Sequence, residues 1–278
     1  MKVKAYGKIN LTLEVLGLRE DGYHELRSVM AKVDIFDELT LEAREGGRVM
    51  LTGSRLDLAY DDRNLIMKAA SLLREKTGCR KGADLYIKKG IPMEAGMAGG
   101  SADAAAALLG LNRLWELGMS LEDLFPLAAT LGSDVPFCLQ DHCVLAEGRG
   151  ERLTVLPAPP PLDILIVKPD FGSSTPLVFK EWDRLNKVVN GEASRILMKA
   201  LAEGRDIRPY LNNELEEASR SLAPEVGEIL DEMRHYGSYA ILSGSGPTCL
   251  YFGDDDSIES LYQKYRAKYR EVYKARLK

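Results

Sequence analysis

Apolar and polar residues alternate near the start of the chain. Apolar side chains occupy every second position from residue 9 to residue 15. A period of two predicts a strand that buries its apolar face and turns its polar side chains to solvent. Apolar residues at helical spacing predict a helix over residues 64–73 and another after a glycine cluster. Short apolar runs predict further strands. They lie at residues 39–41, 49–51, 85–87, 164–167, 239–242 and 249–252.

Capping signals predict where several helices begin and end. Asp103 is expected in the first turn of the helix after the glycines, where a negative charge favours the helix dipole. Ser120 is expected to cap the next helix. Thr175 followed by Pro176 has the pattern of an N-cap and a first helical residue. A charged helix that begins at about Ile258 is expected to finish the chain.

Four prolines between residues 157 and 162 mark the best candidate for a domain boundary. Such a segment is typical of a stiff, extended linker. We therefore predict an N-terminal domain over residues 1–156 and a C-terminal domain over residues 163–278. Both halves mix helical and strand patterns, so the predicted fold class is α+β.

Composition narrows the possible functions. The chain has 278 residues, 28% of them charged, and a net charge of −5. Nucleic-acid binders normally carry a basic face, so this class is disfavoured. The first residues lack the apolar segment of a signal peptide, and no run approaches the roughly 20 apolar residues that span a bilayer. We expect a cytoplasmic protein with no membrane partner, and its oligomeric state stays open.

The cysteines and histidines do not predict a metal site. Cys138, His142 and Cys143 lie close together in sequence, but their spacing fits no common zinc pattern. We expect reduced cysteines that pack as small hydrophobic residues. No metal site built from protein side chains alone is predicted.

A glycine-rich segment directly before a predicted helix is the strongest candidate for chemistry. The segment consists of Pro92, Met93, Glu94, Ala95, Gly96, Met97, Ala98, Gly99, Gly100, Ser101 and Ala102. A helix start carries unpaired N–H groups and partial positive charge, and glycines let the backbone approach a phosphate. The segment therefore predicts an anion site that suits the phosphates of ATP. The alternative is an ordinary glycine-rich turn before a structural helix.

The details of this segment separate it from other phosphate loops. It has neither the lysine of a Walker A loop nor the glycine register of a dinucleotide fold, and the protein-kinase motifs are missing from the chain. Ser101 could offer its hydroxyl to a phosphate or to Mg²⁺. We expect a negative φ at Ala98, because its Cβ disfavours the left-handed region, and positive φ only at Gly96, Gly99 or Gly100.

Three blocks in order resemble the superfamily of galactokinase, homoserine kinase, mevalonate kinase and phosphomevalonate kinase. They are residues 5–10, the glycine-rich segment and residues 242–248. Further stretches resemble the branch that phosphorylates the 2-hydroxyl of a cytidine-diphosphate derivative of methylerythritol in isoprenoid precursor synthesis. These stretches are residues 8–11, 19–24, 64–65, 132–137, 174–175 and 213–216. The resemblance covers nearly the full length.

The resemblance implies a fold and a set of roles. The N-terminal half would resemble a ribosomal-protein-like α/β unit and the C-terminal half a ferredoxin-like one. ATP would lie on the glycine-rich segment, and the acceptor in a cleft between domains. Asp134 would be the general base and Lys8 its electrostatic partner. From sequence alone, Asp134 is equally well a helix or turn cap, and Lys8 is more simply interpreted as a surface lysine on a half-buried strand.

The resemblance also implies binding residues. Asn64, Leu65 and Lys89 would lie near the adenine, and Tyr23 and His24 would contact the cytosine ring. Asn10, Thr175 and the turn of Ser243, Gly244, Ser245 and Gly246 are the other expected substrate contacts, although that turn could be a plain connection between strands. ATP and Mg²⁺ are the expected cofactors.

The chain departs from the family pattern at several positions. Ala98 and Ala102 stand where the family usually has glycine and serine, Cys138 where a second Phe is usual, and Arg149 interrupts a usual Gly-Ile-Gly-Glu. Two other functions remain open. One is a sister kinase or the related diphosphate decarboxylase, and Tyr23 and His24 argue against it because a small acceptor needs no stacking pair. The other is an RNA-binding or structural module, which the net charge disfavours.

Overall fold

The computed structural model describes residues 1–186, 191–237 and 239–278. The described helices are α1 Leu65–Thr77, α2 Gly99–Leu114, α3 Leu121–Leu131, α4 Val135–Cys138, α5 Thr175–Leu185, α6 Ala193–Ala202, α7 Glu216–Leu222, α8 Pro224–His235 and α9 Asp255–Arg266. The described strands are β1 Lys2–Asn10, β2 Thr12–Leu18, β3 His24–Arg44, β4 Val49–Gly53, β5 Gly82–Lys88, β6 Val144–Gly148, β7 Arg152–Val155, β8 Asp163–Lys168, β9 Asn212–Asn213, β10 Tyr239–Leu242, β11 Cys249–Phe252 and β12 Glu271–Arg276. No described helix has the length and apolar character needed to cross a membrane.

Contacts divide the chain into two compact units. Unit 1 contains residues 1–7, 35–91 and 98–141, and unit 2 contains residues 8–34, 92–97 and 142–278. These units differ from the predicted consecutive domains that meet at residues 157–162. The reason lies in unit 2, where early and late segments bond to each other. Strand β2 pairs in parallel with β9, and the Glu14 carboxylate accepts hydrogen bonds from the backbone of Ala193 and Ser194.

Unit 1 packs helices against a sheet formed by β4, β5 and the second half of β3. Strand β5 runs parallel to β4 and antiparallel to β3. Leu41 of β3 and Leu73 of α1 are fully buried in its core. A Cβ on Gly110 of α2 would lie 2.8 Å from the Leu41 side chain. Glycine at this position therefore lets α2 approach the sheet closely.

Unit 2 contains a second sheet in which β8, β10, β11 and β12 are all antiparallel to their neighbours. The spatial order is β10, β11, β8, β12. Helices α8 and α9 bury apolar side chains against it, among them Leu230 and Leu261. The chain order β8, α8, β10, β11, α9, β12 with this strand order is the ferredoxin-like arrangement. The prediction for the C-terminal half is thus confirmed.

The first predicted strand forms, but its exposure pattern was predicted wrongly. It consists of β1 and β2, separated at Leu11, and the polar residues that alternate with the apolar ones are buried too. Lys8 is 5% exposed and Glu14 is 0% exposed. A period of two cannot reveal a strand that is covered on both faces when the second face buries polar groups with partners.

Several helix ends also differ from prediction. Asp103 is the fifth residue of α2, beyond its first turn. The N-cap of α5 is Ser174, so Thr175 is the first helical residue. Helix α9 begins at Asp255 and does not finish the chain, because β12 follows and pairs with β8. Ser120 does cap α3, in a reciprocal capping box with Asp123.

Candidate active site

The glycine-rich segment forms a tight loop that leads into α2. Its backbone has φ of +53° at Glu94, +67° at Gly96 and +54° at Ala98. The prediction for Ala98 was therefore wrong, and so was the restriction of positive φ to glycines. Helix α2 begins at Gly99, so Gly99 and Gly100 take helical backbone angles. The left-handed turn falls one residue earlier, on the N-cap.

The start of α2 has the properties of an anion site. Ala98 has no side-chain oxygen, so no side chain caps the helix. The first backbone N–H groups of a helix have no partner within it, and Gly99, Gly100 and Ser101 supply them here. The Gly100 backbone lies near Leu65, whose Cδ1 is 3.6 Å from the position of a Cβ on Gly100. Unit 1 thus brings the expected adenine residue Leu65 to the start of α2.

The Asn64 side chain has a structural role in this unit. Its Oδ1 accepts a hydrogen bond from the Ile66 backbone over 2.9 Å, and its Nδ2 donates to the Ala59 carbonyl over 2.7 Å. Asn64 is therefore the N-cap of α1. The cap fixes the first residue of that helix, Leu65, in its place.

In unit 2 the first part of the loop packs on the turn that follows β10. The Ser243 hydroxyl donates to the Gly96 carbonyl over 3.2 Å. A Cβ on Gly96 would lie 2.3 Å from the Ser243 carbonyl oxygen, so only glycine allows this approach. The buried Asn213 side chain donates hydrogen bonds to the carbonyls of Leu242 and Gly244 over 2.7 and 2.8 Å. These two bonds fix the turn.

Strand β1 joins the same region of unit 2. The Lys8 backbone N–H donates to the Met97 carbonyl over 3.1 Å, and the Lys8 ammonium donates to Asn10 Oδ1 over 2.8 Å. Asn10 in turn donates to the Ser28 hydroxyl over 2.7 Å. The Asn10 Oδ1 lies 3.6 Å from the position of a Cβ on Gly244. Within unit 2, the first and third sequence motifs therefore meet at the loop.

Ser245 anchors the turn to the start of α5. Its hydroxyl is 2.8 Å from the Thr175 hydroxyl, and its carbonyl accepts from the Ser173 hydroxyl over 3.0 Å. The structure thus brings Thr175 to the turn. These bonds fix the turn, and the backbone of Gly244 and Gly246 takes positive φ of +55° and +83°.

Asp134 occupies the N-cap position of α4 in unit 1. Its side chain forms no capping hydrogen bond to that short helix. The interpretation of Asp134 as a simple helix cap therefore loses its support. The carboxylate is half-buried at the chain reversal after α3. A carboxylate is the type of group that can accept a proton from a bound hydroxyl.

Tyr23 and His24 have different surroundings in unit 2. Tyr23 is 56% exposed, and the Arg149 guanidinium lies over its ring at 4.9 Å from the centroid. The His24 ring stacks on Phe179 with centroids 4.8 Å apart. Its Nε2 is 2.8 Å from Asp183 Oδ1. Tyr23 thus offers an aromatic face to solvent, while His24 is held in a fixed orientation.

Lys89 lies in a buried ionic cluster of unit 1 that the sequence did not predict. Its ammonium contacts Asp37 Oδ2 and lies 2.7 Å from Asp103 Oδ2. Burial raises the pKa of Asp103 to about 7, and the neighbouring Asp37 adds to the effect while Lys89 opposes it. Burial works to lower the pKa of Lys89, but the Asp103 and Asp37 carboxylates outweigh it and raise that pKa.

Comparison with known proteins places this site in a family. Family models described as "GHMP kinases N terminal domain" and "GHMP kinases C terminal" match residues 64–142 and 195–271. A 4-diphosphocytidyl-2-C-methyl-D-erythritol kinase of Shouchella clausii is 40% identical, over 99% of this chain and 93% of its own length. The corresponding kinase of Brevibacillus brevis is 41% identical, over 100% of this chain and 96% of its own length. The chain belongs to the 4-diphosphocytidyl-2-C-methyl-D-erythritol kinase family.

Solved structures agree with this family. A crystal structure of 4-(cytidine 5'-diphospho)-2C-methyl-D-erythritol kinase is 34% identical and superimposes with a TM-score of 0.82, covering 100% of this chain and 99% of the other. A homoserine kinase from Cytophaga hutchinsonii superimposes with a TM-score of 0.76 at 19% identity. The match covers 99% of this chain and 93% of the other. At that identity the likeness concerns the fold alone. The α+β two-domain kinase fold, the resemblance and the ATP-dependent kinase class are confirmed.

Three residues that sequence analysis did not predict as site residues hold predicted site residues in place. Sequence analysis assigned no role to Phe179 and Asp183 of α5, which orient His24, and it did not predict that Asn213, within the matching stretch of residues 213–216, holds the turn. The partners of these side chains lie far away in sequence, which hid the contacts. No group of three His, Cys, Asp or Glu side chains that could hold a metal ion occurs within residues 1–186, 191–237 and 239–278.

Proposed function

We propose that this chain transfers the γ-phosphate of ATP to the 2-hydroxyl of 4-diphosphocytidyl-2-C-methyl-D-erythritol. The observation that carries the choice of acceptor is the exposed ring of Tyr23, followed in sequence by His24 with its ring held in a fixed orientation. A base needs a flat partner for its π-face and polar partners for its edge, and this pair supplies both. A kinase for a small acceptor without a base has no use for it.

The reaction itself needs few protein groups. The amides at the start of α2 would hold the ATP phosphates, and Ser101 would offer its hydroxyl to a phosphate or to Mg²⁺, which would neutralise phosphate charge. The acceptor oxygen attacks the γ-phosphorus as the bond from that phosphorus to the bridging oxygen of ADP breaks. Asp134 takes the hydroxyl proton. A cation favours the ionised form of a carboxylate and stabilises developing negative charge, which is the role we propose for Lys8.

The hydrogen bond to Asp183 determines how neutral His24 can select a base. A carboxylate only accepts, so His24 Nε2 carries the proton in this pair. Nδ1 is then an acceptor and suits the exocyclic amino group of cytosine. Uracil has a carbonyl oxygen at that position, so two acceptors would face each other. We therefore propose that His24 discriminates between cytidine and uridine forms of the acceptor.

The remaining parts of the proposal concern the metal, the compartment, nucleic-acid binding and the other site residues. We propose Mg²⁺ as the metal, the cytoplasm as the compartment, and no nucleic-acid partner. Asn64 acts by placing Leu65, and Asn10, Thr175 and residues 243–246 are proposed to shape the acceptor site. The structure of unit 2 supports this last point, because these residues are linked by hydrogen bonds.

A coupled ADP-release assay with cytidine- and uridine-diphosphate acceptors tests the proposal. Stacking on an aromatic side chain is worth roughly 1–3 kcal/mol, so Tyr23→Ala should raise the KM for the cytidine acceptor about 5- to 150-fold and leave the KM for ATP unchanged. Tyr23→Phe keeps the ring and should stay close to wild type. Tyr86→Ala removes a tyrosine that is 44% exposed on β5 and serves as the matched control.

The same assay tests the role of His24. His24→Ala should lose the preference for cytidine over uridine, because a hydrogen-bonding site discriminates through its polar contacts. If wild type shows no such preference, or if Tyr23→Ala changes only the KM for ATP, the cytidine acceptor is refuted. ADP release with homoserine or mevalonate as the better acceptor would instead favour a sister kinase.

A further inference from the structure

The ionic cluster of Asp37, Lys89 and Asp103 is the feature of unit 1 that the proposed reaction does not use. The Lys89 and Asp103 side chains are each 6% exposed and that of Asp37 is 0% exposed. Asp37 also accepts two backbone hydrogen bonds through Oδ1, from Gly90 over 2.6 Å and from Ile91 over 2.8 Å. One carboxylate therefore holds both the Lys89 ammonium and the backbone that follows it.

The cluster contacts both places where the chain of unit 1 joins the loop of residues 92–97. The chain leaves unit 1 after Ile91 and returns to it at Ala98. At the first place, Asp37 binds the Ile91 amide. At the second, the Lys89 Nζ lies 3.5 Å from the position of a Cβ on Gly99. Asp103, one turn further along α2, binds the same ammonium.

Stability alone does not account for the cluster. Two carboxylates share one ammonium, and Asp103 Oδ1 is buried without a hydrogen-bond partner in the described part of the chain. Buried ion pairs are often no more stable than apolar residues of similar volume. Ala98 adds strain beside the cluster, because an alanine at φ +54° and ψ +33° is in the left-handed region. Such a conformation persists only where the surrounding structure fixes it.

We propose that Asp37 and Asp103 are positioning residues for ATP, and that they act through Lys89 to fix both ends of the loop of residues 92–97. The inference rests on the proposed binding of the ATP phosphates by the start of α2, which follows this loop, and it is independent of the acceptor. Its consequence is that the Lys89 ammonium is engaged by carboxylates and sets the backbone at Gly99. The expected contact between Lys89 and the adenine is replaced by this role.

The two carboxylates differ in a way that yields a sharp test. Asp37 uses both oxygens as acceptors, one for two backbone amides and one for Lys89. An asparagine at 37 must turn its NH₂ group toward one of these donors, so the contact is broken. Asp103 uses only Oδ2, so an asparagine at 103 can keep its oxygen on Lys89. At a pH above the pKa of Asp103, both substitutions remove one negative charge at nearly constant volume.

The experiment measures inhibition by tripolyphosphate and by adenosine, each competing with ATP. We expect Asp37→Asn to raise the Ki of tripolyphosphate about tenfold, in the range by which such indirect couplings act, and to change the Ki of adenosine less than twofold. Asp103→Asn should raise the Ki of tripolyphosphate by about threefold at most. The control is Asp84→Asn, which removes an exposed carboxylate of β5 that pairs with Arg44 of β3. It should match wild type.

Each outcome decides the proposal. Equal effects of Asp37→Asn and Asp103→Asn on the Ki of tripolyphosphate, or no effect of either, would overturn it, since the loss of negative charge alone predicts equality. A parallel rise in the Ki of adenosine would indicate that Lys89 contacts the adenine, as the family resemblance implies, and would also overturn the proposal. If Asp37→Asn does not fold at the assay temperature, Asp103→Ala cuts the bond to α2 and must show the same tenfold rise. The Ki values depend on ATP binding alone. They would therefore still test this proposal if the ADP-release assay showed that the cytidine compound is not the acceptor.

Discussion

The left-handed conformation of Ala98 leads to a prediction with an unusual sign. Glycine in place of alanine generally destabilises a protein, but Ala98 has φ of +54° and ψ of +33°. The left-handed region costs an L-residue roughly 1–2 kcal/mol, and glycine is free of this cost. The larger conformational freedom of glycine in the unfolded chain opposes the gain by about 0.4–1 kcal/mol. We therefore expect Ala98→Gly to increase the free energy of unfolding by about 0.5 kcal/mol.

Ala102→Gly is the matched control, since it makes the same substitution three residues beyond Gly99 inside α2. Ala102 is 2% exposed and has helical backbone angles. A glycine in a helix interior costs about 1 kcal/mol, and the lost buried methyl group adds about 0.8 kcal/mol. The two variants should therefore differ by about 2 kcal/mol, with opposite signs relative to wild type.

Urea unfolding, followed by circular dichroism, measures both changes. The midpoint should rise for Ala98→Gly and fall for Ala102→Gly, with an unchanged slope. The KM for ATP should change little in Ala98→Gly, because glycine can adopt the same loop conformation. A loss of more than about 0.5 kcal/mol in Ala98→Gly would show that Ala98 is not strained, and the argument from backbone conformation would be refuted.

Three further predictions concern the loop, the base and the ionic cluster. Gly96→Ala should abolish tight ATP binding, because its Cβ would lie 2.3 Å from the Ser243 carbonyl, whereas Gly118→Ala, with a similar φ and open space, should bind ATP normally. Asp134→Asn should lower kcat about 10²- to 10⁴-fold with little change in ATP binding, and near-normal turnover would exclude Asp134 as the base. Burial raises the pKa of Asp103 from an ordinary value of 3.8 to about 7. Between pH 3.8 and about pH 7, the native protein therefore keeps a proton on Asp103 that the unfolded chain releases. The stability of wild type should therefore fall relative to Asp103→Asn as the pH rises through this range, and parallel stability curves measured by urea unfolding would contradict the assignment.

Local sequence patterns determined most of the secondary structure and the order of the motifs. Strands β10 and β11 were predicted at their observed bounds, and the start of α1 and the N-cap at Ser120 followed from residue types alone. These features depend on side chains within a few positions of one another. The resemblance of the three motifs to a kinase family was equally readable, because it depends on residue order. The role of each site residue remains a proposal.

The tertiary structure decided how buried the polar residues are and which partners they have. Lys8, predicted from sequence alone as a surface residue, is 5% exposed, and its ammonium donates a hydrogen bond to Asn10. Lys89 meets Asp37 and Asp103, which are 52 and 14 residues away in sequence. Strand β12 was missed because its partner is β8, more than a hundred residues earlier. Periodicity reports the environment of a segment only when one face is apolar and the other solvated, and long-range pairing of buried charges leaves no such local pattern.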